Sequence, residues 1–187
     1  MRNIILIISV LMGVLSYGQN ISTLIEKANK GNVEAQYKLG VAYDKGKGVT
    51  QSYEKAVYWY RKSAEQGDTF AQLMLAQAYH EGKGVAQSSE KAMYWWRKSA
   101  EQGNSFGQAF LGATYYYGEG VPQSYEKAVY WWRKSAEQGN AIAQYRLALA
   151  YYIGEGVTQS DEQAAYWFGK ACEKGQDEAC LKLKVLF

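Results

Sequence analysis

Apolar and small residues recur along this chain at helical intervals, and the helical segments themselves recur. In Ser52 to Gly67 (SYEKAVYWYRKSAEQG), Ala56, Trp59, Tyr60, Ser63 and Ala64 fall at i, i+3, i+4, i+7 and i+8. That is one apolar stripe on a helix, with polar residues between its members. Ser52 is a good N-cap, Glu54 sits in the first turn where the helix dipole favours an anion, and Gly67 supplies the left-handed residue that ends the helix. Near-identical segments begin at Ser88 and Ser124, and a looser copy, SDEQAAYWFGKACEKG, begins at Ser160. The starts are 36 residues apart, and the closing glycines Gly67, Gly103, Gly139 and Gly175 keep the same step. A fixed period of this length predicts a solenoid of helix pairs.

A second helix, here helix A, precedes each Trp-bearing helix B. Asn32, Asp68, Asn104 and Asn140 follow a glycine as its N-caps, and in the first repeat it spans about Val33 to Lys45. Its recurring positions are Ala35, Leu39, Gly40 and Tyr43, matched by Ala71, Leu75, Ala76 and Tyr79, by Gly107, Leu111, Gly112 and Tyr115, and by Ala143, Leu147, Ala148 and Tyr151. The small residue beside each Leu predicts close approach of helices A and B. The Tyr and Trp series, Trp95 and Trp131 among them, are expected to be core. Each buried aromatic covers about 150–250 Å², worth roughly 4–6 kcal/mol as an upper bound. Between A and B runs a GxGV loop, as in Gly46-Lys47-Gly48-Val49. Phosphate-binding glycine loops follow a strand. These follow a helix, so the glycines are read as turn residues.

The two ends depart from the period. Arg2, the apolar run from Ile4 to Leu15, and Ser16-Tyr17-Gly18 read as a secretory signal over 1–18, cleaved after Gly18. The apolar run is too short to span a bilayer, which takes about 20 residues. Asn20-Ile21-Ser22 matches a glycosylation sequon, a weak signal by itself. Residues 19–31 read as a degenerate helix B that caps the first repeat. Four repeats follow, at 32–67, 68–103, 104–139 and 140–175, and residues 176–187 read as a C-terminal capping helix. The formal charge is +3, with Lys and Arg interleaved with Glu, so nothing argues for nucleic acid.

The motif A-Q-Y-x-L-G-x-x-Y-x-x-G-x-G-V, followed by S-Y-E-K-A-x-Y-W-Y-R-K-S-A-E-Q-G, resembles the Sel-one-like repeat family, relatives of the tetratricopeptide repeats. The resemblance runs from Asn32 to Gly175. It implies an all-α fold, a right-handed α/α superhelical solenoid that mediates protein–protein interaction, commonly in bacterial envelope and host-contact proteins. Pro, frequent after the loop Val in that family, occurs here only as Pro122.

Cys172 and Cys180 are the only cysteines, and each interrupts a series uniform elsewhere. Ala64, Ala100 and Ala136 give way to Cys172, and Gln36, Gln72, Gln108 and Gln144 give way to Cys180. The C-x7-C pair resembles the disulfides of a secreted, cysteine-rich branch of the family. With a signal segment it implies a disulfide, and in a reducing compartment the pair would be two thiols. Members of that branch are described as binding or hydrolysing penicillins, and Ser-x-x-Lys occurs at Ser52, Ser88 and Ser124. The S-D-N and K-T-G partners of that motif are missing, so the three serines read as helix caps. His80 is the only histidine, which leaves no Ser/His or Cys/His pair for catalysis and too few ligands for zinc. No enzyme activity, cofactor or metal is expected.

Positions that differ between repeats are free to specify a ligand, whereas constant positions read as packing. The variable series on helix A are Glu34/Phe70/Phe106/Ile142, Tyr37/Leu73/Ala109/Tyr145, Val41/Gln77/Ala113/Leu149 and Asp44/His80/Tyr116/Tyr152. By family resemblance they line the concave face. The expected groove is Phe70, Leu73, His80, Phe106, Tyr116, Tyr145, Leu149 and Tyr152, aromatic towards the C-terminal repeats. The expected function is a secreted or periplasmic scaffold that binds a protein or peptide there, with no nucleic acid and no membrane contact after signal cleavage. The alternatives are a penicillin-interacting enzyme and a glycan or peptidoglycan binder.

Overall fold

A computed structural model describes residues 21–186. The expected signal over 1–18, Asn20 of the sequon and the terminal Phe187 lie outside the described residues. Helix α1 runs through 21–29. Then come α2 (Val33–Lys45), α3 (Tyr53–Glu65), α4 (Thr69–Glu81), α5 (Ser89–Glu101), α6 (Ser105–Tyr117), α7 (Tyr125–Glu137), α8 (Ala141–Ile153), α9 (Asp161–Glu173) and α10 (Asp177–Leu186). No strand occurs among the described residues. The chain is an all-α solenoid of helix pairs. It divides into two compact units, Met1–Gln87 and Ser88–Phe187, and within each unit every helix packs on the next.

The caps fall where the spacing predicts them. Asn32, Asp68, Asn104 and Asn140 each accept a hydrogen bond from the backbone N–H three residues on, at 2.7–3.0 Å. Leu39, Leu75, Leu111 and Leu147 are fully buried. The small residue after each Leu is a matter of clearance. A Cβ on Gly40 would lie 2.5 Å from the Tyr60 ring, and one on Gly112 would lie 2.4 Å from the Trp132 indole. The series is Gly40, Ala76, Gly112 and Ala148, and its two alanines are fully buried.

Two expectations are corrected. The buried aromatic of helix B is the second of the pair, not the first. Tyr60, Trp96, Trp132 and Phe168 are at most 4 % exposed, whereas Trp59, Trp95, Trp131 and Trp167 are half-buried. Each of the latter lies edge-on to the preceding tyrosine with ring centroids 5.0–5.1 Å apart. Those tyrosines, Tyr58, Tyr94, Tyr130 and Tyr166, are identical in all four repeats yet 51–54 % exposed. Constancy between repeats therefore does not by itself mark a packing residue. A lysine one turn on (Lys62, Lys98, Lys134, Lys170) sits over each ring within 6.0 Å.

Buried polar ties join successive helix pairs. The Gln36, Gln72, Gln108 and Gln144 amides donate to the carbonyls of Ala28, Ala64, Ala100 and Ala136, eight residues back, at 3.0–3.2 Å. Arg61, Arg97 and Arg133 donate to the hydroxyls of Tyr79, Tyr115 and Tyr151 at 2.8–3.0 Å. In the fourth repeat the arginine position is Gly169 and its partner position is Phe187, which has no hydroxyl.

Candidate partner-binding surface

The eight residues expected to line a groove separate into three groups. Phe70, Phe106 and Tyr152 are exposed, at 50, 48 and 37 %. His80, Tyr116, Tyr145 and Leu149 are half-buried. Leu73 is only 6 % exposed and belongs to the core, which corrects its place in the groove. Its counterparts Tyr37, Ala109 and Tyr145 face the buried aromatic of the following helix B. Tyr37 lies 6.2 Å from Tyr60, Tyr145 lies 5.8 Å from Phe168, and the carbonyl of Ala109 accepts from the Trp132 indole at 3.2 Å. Variation at that series adjusts volume inside the solenoid as well as surface.

In the second unit, α6 and α8 present an outward stripe that is almost wholly apolar. On α6 it comprises Phe106, Phe110 and Tyr117, and on α8 Ile142, Tyr152 and Ile153, all 37–56 % exposed. Half-buried Tyr116, Tyr145 and Leu149 fill in beneath. Phe110, Tyr117 and Ile153 were not among the expected groove residues. Their signal lay in the series Lys38/Met74/Phe110/Arg146, charged at both ends and apolar between, and Lys45/Glu81/Tyr117/Ile153, which changes from charged to aromatic and aliphatic along the chain. Phe110 stacks on Trp96 with centroids 5.3 Å apart and planes 6° off parallel.

Tyr116 anchors this surface. Its hydroxyl donates to the Glu155 carboxylate at 2.9 Å, and its ring lies 5.3 Å from Trp132 and 5.2 Å from Tyr125. The Glu155 hydrogen bond, with partial burial, raises the Tyr116 phenol above its usual range, so it remains a donor. Tyr152 carries the Lys182 ammonium 5.9 Å above its ring. In the first unit, His80 lies in the last turn of α4, and the Gln87 side chain donates to its carbonyl at 2.8 Å.

The Ser-x-x-Lys serines are caps. Ser52, Ser88 and Ser124 each accept from the backbone N–H of Lys55, Lys91 and Lys127 at 3.3 Å. Among the described residues no group of three or more His, Cys, Asp or Glu is placed to hold a metal ion.

Cys172 and Cys180 form a disulfide, their Cα atoms 4.8 Å apart. They occupy the positions of the Ala carbonyl and Gln amide that are hydrogen-bonded in the other repeats, eight residues apart in each case. The covalent bridge thus replaces the polar tie and fastens α10 to α9. Such a bond accords with an oxidising extracellular or periplasmic compartment. No described helix is long and apolar enough to cross a membrane. Thiol labelling of denatured, unreduced protein should find no free sulfhydryl. Cys172→Ser with Cys180→Ser should cost roughly 2.5 kcal/mol by the loop-entropy estimate. Amide exchange should then rise in α10 before α8. Labelling of both cysteines without reductant would refute the bridge.

The Sel1 repeat family model matches four consecutive stretches, 33–68, 69–104, 105–140 and 141–176. No curated protein matches the chain. Among solved structures, a uropathogenic Escherichia coli protective antigen with an SLR fold, c5321, is 38 % identical with a TM-score of 0.87, covering 89 % of this chain and 36 % of its own. A Sel1 repeat protein from Oxalobacter formigenes is 32 % identical with a TM-score of 0.80, covering 86 % of this chain and 64 % of its own. Helicobacter pylori cysteine rich protein B is 27 % identical with a TM-score of 0.56, covering 68 % of this chain and 92 % of its own. This chain therefore spans about a third of the E. coli antigen and just under two thirds of the Oxalobacter protein. Four contiguous helix pairs of one pattern, matched end to end by one family model, place the chain in the Sel1-repeat family.

Proposed function

We propose that this protein is a secreted or periplasmic interaction scaffold, without enzyme activity of its own, whose second unit binds a protein or peptide on the surface of α6 and α8. Sel1-repeat proteins are generally protein-interaction scaffolds. The observation that carries the placement is the apolar stripe of Phe106, Phe110, Tyr117, Ile142, Tyr152 and Ile153, exposed on α6 and α8. Contiguous exposed aromatics mark contact surfaces, because each supplies large area for few frozen torsions. The disulfide and the expected signal segment support the compartment.

Phe106 and Tyr152 are the residues to test, since Tyr116 also ties the third repeat to the fourth and its loss would loosen the fold. Phe106→Ala with Tyr152→Ala should weaken binding to a partner captured from envelope extract at least ~100-fold, as central aromatic anchors each contribute 2 kcal/mol or more. The thermal melt should move little, exposed positions carrying little folding energy. Unchanged affinity in a soundly folded variant would move the site elsewhere.

A further inference from the structure

The first unit holds a cleft of about 180 Å³ between α2, α3 and α4, lined by Asp44, Tyr60, Met74, Gln77, Glu81 and Lys83 among others. Its floor is the Tyr60 side chain. Tyr60 is 4 % exposed, lines the cleft, and forms no hydrogen bond through its hydroxyl among the described residues. The hydroxyl oxygen is not among the buried side-chain atoms that lack a partner, so it is open to the cleft and can accept from a donor that enters it.

Two carboxylates sit above that floor. Asp44 pairs with Lys45 and Glu81 with Lys83, each at 2.9 Å. The carboxylates lie deeper than the ammoniums. Asp44 and Glu81 side chains are 23 and 36 % exposed, against 62 and 54 % for Lys45 and Lys83. Hydrogen bonds from Gln77 and Lys83 hold the Glu81 carboxyl below the usual range. Burial raises the Tyr60 phenol far above its usual range, with the Asp44 charge adding to it. The floor therefore stays neutral while the wall carries charge.

The equivalent space in the second unit is occupied. There Tyr116 stands in the position of Asp44, Trp132 in that of Tyr60, Leu149 in that of Gln77 and Ile153 in that of Glu81. Tyr116 donates to Glu155 and its ring lies against Trp132, where the first unit has the Asp44 carboxylate beside Tyr60. The hydroxyl-floored cleft, with its two carboxylates each paired to a lysine, thus has no counterpart of the same residue types in the second unit.

We propose that this cleft is a binding site for an alkylguanidinium group, and that its occupant is an arginine side chain of a peptide. A guanidinium is planar, always charged and carries five N–H donors. It can donate to the Asp44 and Glu81 carboxylates and to the Tyr60 oxygen at once, and Met74 and Ala78 offer apolar wall to the alkyl stem. The site is independent of the aromatic surface of the second unit and is tested without any partner for it.

The experiment titrates the full chain by NMR with acetyl-arginine-amide, its citrulline counterpart, and agmatine. Citrulline keeps the shape and loses the charge. Saturable arginine binding is expected, at least tenfold tighter than citrulline, with shifts confined to α2, α3 and α4. Tyr60→Phe, which keeps the ring in the core, and Asp44→Asn should each weaken it about tenfold, in line with loss of a hydrogen bond to a charged group. Their thermal melts should stay near that of the parent. Equal binding of citrulline, no saturable binding, or full affinity in both variants would overturn the proposal. Agmatine binding without acetyl-arginine-amide binding would overturn its assignment to a peptide.

Discussion

Trp132→Ala should cost about 3–5 kcal/mol of stability, whereas Trp131→Ala, one residue earlier, should cost only ~1–2 kcal/mol. Trp132 is 3 % exposed, its indole N–H donates to the Ala109 carbonyl, and its ring occupies the space that Gly112 leaves open. Truncation leaves a cavity and removes the indole hydrogen bond together. Trp131 is half-buried beside Tyr130, and its removal leaves a surface dent that water can fill. Urea unfolding followed by circular dichroism separates the two. The same measurement tests the contact with Gly112. In the parent, Gly112→Ala should destabilise by roughly 1–3 kcal/mol through overlap with the indole. In the Trp132→Ala background it should become neutral or favourable, because the overlap is gone and alanine is the better helix former. Equal costs at Trp131 and Trp132 would mean that the helix B core is assigned to the wrong face.

The period, the caps and the alternation of helices were legible because each rests on local chemistry repeated four times. Ser52, Asn32 and their counterparts announce helix starts by residue type alone, and the glycine step announces the ends. Which of two adjacent tryptophans faces inward was not legible. Trp131 and Trp132 lie about 100° apart on a helix, and either fits a stripe through Ala128 and Ser135. Only the facing helix decides, and on α6 the missing Cβ of Gly112 leaves the space that the second ring fills. The surface was half legible. Phe106 and Tyr152 stood out as variable, and both are exposed. Leu73 varied without being a surface residue, since it is buried in the core. Tyr94 and Tyr130 misled in the opposite sense, being constant without being buried.

Loop glycines offer the second test, because the second glycine of three GxGV loops, Gly84, Gly120 and Gly156, does more than turn the chain. Gly156 has φ +68°, and a Cβ placed on it would lie 2.3 Å from the Tyr125 carbonyl carbon, at the start of α7. Gly84 has the same relation to Tyr53 in the first unit. The loop of one repeat thus rests on the backbone of the preceding helix B, an inter-repeat contact that turn geometry alone does not require. Left-handed backbone costs an alanine about 1–2 kcal/mol. Overlap with backbone, which cannot rotate aside as a side chain can, should add roughly 1–3 kcal/mol more. Gly156→Ala is therefore expected to destabilise by about 2–5 kcal/mol. Gly139→Ala is the control. Gly139 has φ +86° with nothing within 4 Å of the added Cβ, so only the conformational cost of about 1–2 kcal/mol applies. The difference between the two variants measures the contact between repeats. Equal losses would show that the loop glycines serve the turn alone, and that successive repeats are held together by the glutamine and arginine ties without them.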